Sequence, residues 1–140
     1  VEIGQYLKER TAPDDRIAII GSEPQIYFYA ERRAATGYLY TYPLMENHRF
    51  ARGMQEEMIR QIEAAAPRYL VFVHIETSWL PRAESEGLIL GWFNVYQRQH
   101  YKVVGVVDIL SPDTSEVKWD QEAEGYVPKS ASWLKVFERI

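Results

Sequence analysis

Residues 17–38 read IAIIGSEPQIYFYAERRAATGY, and the order of patterns in this stretch decides the fold. Ile17 to Ile20 are apolar at consecutive positions, which marks a strand covered on both faces. Gly21-Ser22-Glu23 forms a tight turn, and Pro24 suits the first position of a short helix that runs to about Ala30. Ala34 to Tyr38 predicts a short second strand. Strand, glycine turn, helix and strand in that order open an alternating α/β pattern.

The same alternation continues on both sides of it. Upstream, Ile3, Tyr6, Leu7 and Arg10 recur at helical spacing, and Pro13 ends that helix. Downstream, "YTYPLMEN" reads as a loop, and Asn47 as the N-cap of a helix with Phe50, Met54, Met58, Ile62 and Ala65 along one stripe. Pro67 stops it before a second buried-strand run, "RYLVFVHI" (68–75). After the loop "ETSWLPRAE", Ser85 is expected to cap a helix reaching about His100, apolar at Leu88, Ile89, Trp92, Phe93 and Tyr96. "YKVVGVVDIL" (101–110) is the third strong strand. Residues 111–129 are polar and acidic, with a small hairpin expected around Val117 to Trp119, and "ASWLKVFERI" closes the chain as a strand. The expected fold is a single α/β domain over residues 1–140. It is a small three-layer sandwich with a mostly parallel, Rossmann-like sheet and a late antiparallel edge strand.

Composition narrows the chemistry. A chain of 140 residues with 46% hydrophobic and 26% charged side chains is long enough for one domain with a real core. A net charge of −4 leaves no basic excess to neutralise phosphates, so nucleic acid is not expected as a partner. Without cysteine there are no disulfides, thiol nucleophiles or thiolate metal sites. No apolar run approaches the roughly 18 residues of a membrane span. The residues from Val1 onward show no charged n-region and no apolar h-region, so no signal peptide is expected among them. Opening in mid-helix without Met, the chain is expected to be part of something longer, a trimmed small protein being the other reading.

Candidate site residues come from the ends of the predicted strands, where ligands gather in open α/β sheets. Gly21, Ser22 and Glu23 stand after the first strand. They lack the G-x-G-x-x-G and P-loop patterns, and the Glu23 carboxylate would repel a phosphate. "GSEPQ" is not the G-x-S-x-G elbow, so Ser22 has no base assigned to it. His74 and Glu76 at the end of the second strong strand share one side of an extended segment, with Trp79 just beyond. His48 and His100 are remote, so no metal or other cofactor is expected. Asp108, near the end of the third strong strand, completes the rim. Tyr27, Phe28 and Tyr29, with Tyr38, Tyr40 and Tyr42, read either as an aromatic ligand platform or as packing. Arg32 and Arg33 read either as an anion site or as a helix C-terminal cap.

The run "DRIAIIGSEPQIYFYAERRAATGYLYTYPL", followed by a long helix, "APRYLVFV" and "SWLKVFERI", resembles the C-terminal soluble region of polytopic bacterial glycosyltransferases. These are similar to family 39, the dolichyl-phosphate-mannose-protein mannosyltransferase-like group, and to the aminoarabinose transferases. The matching residues are Gly21, Glu23, Pro24, Ile26, Tyr27, Arg33, Ala35 and Tyr38. The resemblance implies a parent enzyme that transfers sugar from a polyprenyl-phosphate donor, with its catalytic carboxylate in an early loop absent from this chain. It implies an extracytoplasmic, periplasmic location on the cytoplasmic membrane. It also implies a non-catalytic role in positioning an acceptor or covering the membrane-embedded site. The implied partners are the membrane domain itself and a glycan, lipid-linked sugar or protein acceptor. The resemblance supplies no site residues; the strand-end rim and the aromatic segment put the expected binding surface at Gly21, Ser22, Glu23, Tyr27, His74, Glu76, Trp79 and Asp108.

Two other classes stay open from the residues alone. A small soluble hydrolase or nucleotide-binding domain requires Ser22, Glu23, His74, Glu76 and Asp108 to converge. A protein interaction domain requires a broad exposed aromatic patch.

Overall fold

Helices bury their stripes on a six-stranded sheet, from above and from below. In the computed structural model, which describes all 140 residues, α1 (Glu2–Arg10), α2 (Gln25–Ala30), α3 (Tyr42–Met45), α4 (Ala51–Ala65), α5 (Glu76–Trp79) and α6 (Leu88–His100) are the helices. The strands are β1 (Arg16–Ile20), β2 (Arg33–Ala34), β3 (Tyr69–His74), β4 (Tyr101–Ser111), β5 (Thr114–Trp119) and β6 (Trp133–Arg139). Alternate residues of each strand serve opposite faces. Ile17, Ile19, Val71 and Val136 pack with Ile3, Leu7, Ile26 and Tyr27 of α1 and α2. Ala18, Ile20, Leu70 and Phe137 pack on the other side with Met58, Ile62, Ile89 and Phe93 of α4 and α6.

The sheet order is β2-β1-β3-β6-β4-β5, and it overturns the expected mostly parallel sheet. Only β1–β2 and β1–β3 pair in parallel. The β3–β6, β4–β6 and β4–β5 pairs are antiparallel, so the sheet is mixed and mostly antiparallel. β1 to β4 all run one way, but the β3–α6–β4 crossover leaves a gap one strand wide. β6 fills that gap from the opposite direction. The last strand is therefore central, not the late edge strand expected, and the antiparallel edge is β5. Hydrophobic runs report burial on two faces but carry no information on which strand lies alongside.

Local boundaries also shift. Asn47 does not cap α4, which begins after Phe50. Its amide donates instead to Glu84, at 2.8 Å. Ser85 does not cap α6; its hydroxyl bonds the Met45 carbonyl. The expected loops contain the short helices α3 and α5. β2 is only two residues long, so the Ile19 N–H has no strand partner on that side. The Tyr27 hydroxyl accepts its hydrogen bond at 3.0 Å.

Candidate functional site: the cleft at the end of strand β3

β1 and β3 run in parallel side by side, so the turns that follow them meet at one rim. Gly21 holds φ at 144°, a region that disfavours side chains. A Cβ there would come within 2.5 Å of Val73 Cβ. The turn delivers Ser22 into a buried knot of hydroxyls. The Ser22 N–H donates to Ser78 Oγ at 2.7 Å, and the Thr41 N–H donates to Ser22 Oγ at 2.8 Å. Ser22 Oγ and Thr41 Oγ1 lie 3.0 Å apart, and Thr41 Oγ1 donates to the Ser78 carbonyl at 3.3 Å. The knot ties the turn after β1, the start of α3 and α5 together. No histidine or carboxylate reaches Ser22, so its hydroxyl is a structural group and not an activated nucleophile.

Beside this knot lies a cleft of about 310 Å3, lined by Phe72, His74, Glu76, Trp79, Pro81 and Leu90 among others. That volume is at the low end of the roughly 300–1,000 Å3 typical of small-molecule sites. Trp79 is buried and donates its indole N–H to the Val73 carbonyl at 2.7 Å, which fixes the inner wall. His74 is exposed at the lip, its ring parallel to Trp133 with centroids 4.5 Å apart. Its Nδ1 lies 2.9 Å from the Ala131 carbonyl. A carbonyl can only accept, so Nδ1 carries a proton and donates it to Ala131. Glu76 opens α5 at the same lip, exposed. Neither group hydrogen-bonds the other, so the cleft offers two separate polar contacts over an apolar and aromatic floor.

Asp108 belongs elsewhere. Across the sheet His74 pairs with Trp133, and Trp133 pairs with Asp108, which sets the two ionisable groups two strand spacings, about 10 Å, apart. Asp108 is fully buried. It accepts from Ser130 Oγ at 2.6 Å, Lys129 N at 2.7 Å, Tyr126 Oη at 3.0 Å and Ser130 N at 3.3 Å. Burial pushes its carboxyl up, but the hydrogen bonds from Ser130, Lys129 and Tyr126 outweigh that and hold it below the ordinary aspartate value. Its role is to pin the segment before β6.

The remaining candidates divide in the same way. Glu23 is bonded by the Gln25 side chain and is not among the lining residues of the cleft. Tyr27 is buried under α1 and β1, where burial raises its phenol to about 12. Arg32 donates to the carbonyls of Lys8, Thr11, Ala30 and Glu31, closing the C-terminal ends of α1 and α2. No group of three or more acidic or histidine side chains is placed to hold a metal ion.

His74, Glu76 and Trp79 thus converge, with Gly21 and Ser22 supporting them from behind through Ser78. The strand-end position of His74 and Glu76 was the signal that found them. Phe72 and Leu90 escaped it, because an apolar residue on a strand or helix is indistinguishable from core in a sequence. No family model, curated protein or solved structure matches this chain.

Proposed function

We propose that this chain is a ligand-positioning domain, not catalytic by itself, in the extracytoplasmic part of a membrane glycosyltransferase that uses a polyprenyl-phosphate-linked sugar. The observation that carries the positioning role is the cleft at the end of β3. Its aromatic and apolar floor fits the C–H face of a sugar ring, and His74 and Glu76 at the lip fit its hydroxyls. It contains no nucleophile–base pair, and Ser22 and Asp108 are saturated by structural hydrogen bonds. A hydrolase or nucleotide-binding centre at this rim is less favoured, because Ser22, Glu23 and Asp108 do not join His74 and Glu76 in the cleft.

The glycosyltransferase context rests on the Gly21, Glu23, Pro24, Ile26, Tyr27, Arg33, Ala35 and Tyr38 pattern. In this role the domain holds an acceptor glycan or protein segment over the membrane-embedded site, or covers that site. No helix here is long and apolar enough to cross a membrane, so the spans belong to another segment of the parent protein. The test is the coding sequence upstream of Val1. Repeated membrane spans with an acidic extracytoplasmic loop support the reading. A start codon next to Val1 with no spans anywhere in the frame overturns it.

A second reading, a protein interaction domain, draws on the exposed rings of Phe28, Tyr40 and Phe50. It differs in placing the partner on those rings, away from the cleft.

A further inference from the structure

Lys135 occupies an unusual position. It lies in β6, hydrogen-bonded on both sides, directly between Phe72 of β3 and Val106 of β4. Charged side chains are seldom buried without a counter-ion, because an ammonium loses its hydration there. Lys135 is half-buried, yet it enters none of the ion pairs. The Trp133 ring faces the ammonium instead, its centroid 5.0 Å from Nζ. Burial lowers its pKa below the ordinary lysine value.

The side chain lines a groove of about 480 Å3 between β6 and α6. Phe72, Trp133 and Phe137 form the sheet wall, and Leu90, Asn94 and Gln97 the helix wall. Phe72 and Leu90 also line the cleft at the end of β3, so the two hollows adjoin. Lys135 is thus a half-buried cation without a carboxylate partner, in a groove walled mainly by apolar side chains. Local departures of this kind concentrate at functional sites, where a ligand supplies the missing partner.

We propose that this groove binds a carboxylate-terminated amphiphile, with the carboxylate on Lys135 Nζ and the apolar body along Phe72, Leu90 and Trp133. Charge complementarity selects the head group. One ammonium with the carboxamides of Asn94 and Gln97 beside it balances a single negative charge. A phosphomonoester dianion would keep one charge uncompensated, and the groove has no arginine fork to grip it. The apolar walls select the body, since a small hydrophilic carboxylate would leave them wet. The proposal stands whether or not the chain belongs to a glycosyltransferase, because it uses Lys135 and the groove alone.

The test is titration of the chain with decanoate, decanol and decyl phosphate, each below its micellar concentration, followed by amide NMR shifts and calorimetry. Decanoate is expected to bind tightest, with shifts at Phe72, Leu90 to Gln97 and Trp133 to Phe137. Lys135→Met is expected to weaken decanoate about tenfold or more while leaving decanol unchanged. Lys135→Arg, which keeps the charge, is expected to retain most of the affinity and guards against a folding defect in the first variant. No binding at millimolar decanoate, equal binding of decanol, tighter binding of decyl phosphate, unchanged affinity in Lys135→Met, or shifts outside the groove would each overturn it.

Discussion

The imidazole of His74 lies flat on the indole of Trp133, with ring centroids 4.5 Å apart and planes 4° from parallel. The two residues pair across β3 and β6, so the stack exists only because the last strand is central. It also fixes the outer wall of the β3 cleft, since the Ala131 carbonyl holds the other side of the ring. His74→Ala is therefore expected to lower stability by about 0.5–1.5 kcal/mol, the worth of one aromatic pair. Urea unfolding measures this directly. A neutral result would mean that the ring is not held in place.

The hydroxyl knot makes a sharper prediction. Ser78→Ala removes the acceptor for the buried Ser22 N–H and is expected to cost about 1–3 kcal/mol. Ser22→Ala should cost a similar amount, because Thr41 N–H loses its acceptor. Active-site-directed fluorophosphonates should leave Ser22 unlabelled. Labelling at Ser22 would restore the hydrolase reading.

Alkaline stability should be set by buried tyrosines. Burial raises the phenols of Tyr27 and Tyr101 from 10.0 to about 12, so the fold favours their neutral forms. The stability this confers is fully present below pH 10 and is lost as pH rises from about 10 through about 12. Tyr27→Phe should flatten part of that decline. It should also cost about 1–2 kcal/mol at neutral pH, since the Ile19 N–H loses its acceptor. A pH series of thermal melts on both proteins separates the two effects.

Asp108 works in the opposite direction. Its folded pKa lies below the ordinary aspartate value of 3.8, so its contribution is present above that value and disappears as pH falls through the lower folded one. Asp108→Asn cannot accept all four hydrogen bonds and is expected to destabilise by about 2–4 kcal/mol at neutral pH. The variant should also lose part of the acid-limb slope. Cleft binding should survive, because Asp108 does not line it.

The sequence displayed the buried strands β1 and β3 plainly, because their apolar residues run without a break. It displayed α4 and α6 through their period, though not their caps, since Asn47 and Ser85 are drawn into bonds with distant loops. Strand order was hidden. Trp133, Lys135 and Arg139 alternating with apolar residues in β6 look like an edge strand facing water, and only the groove beneath α6 explains a lysine there. Among the candidate residues, strand-end logic placed His74, Glu76 and Trp79 in one cleft. The same logic placed Ser22 and Asp108 at the rim without revealing the partners that saturate them. Those partners lie 18 to 22 residues away for Asp108 and up to 56 residues away for Ser22.

The most direct test of the positioning role is an amide NMR titration of the chain with a panel of oligosaccharides and, separately, nucleotides. Saturable shifts on Phe72 to Trp79, Leu90 and Ala131 to Trp133 with an oligosaccharide, and no turnover of it, are the predicted result. Shifts on Gly21 to Glu23 with a nucleotide alone, or hydrolysis of any sugar by the isolated chain, would contradict it.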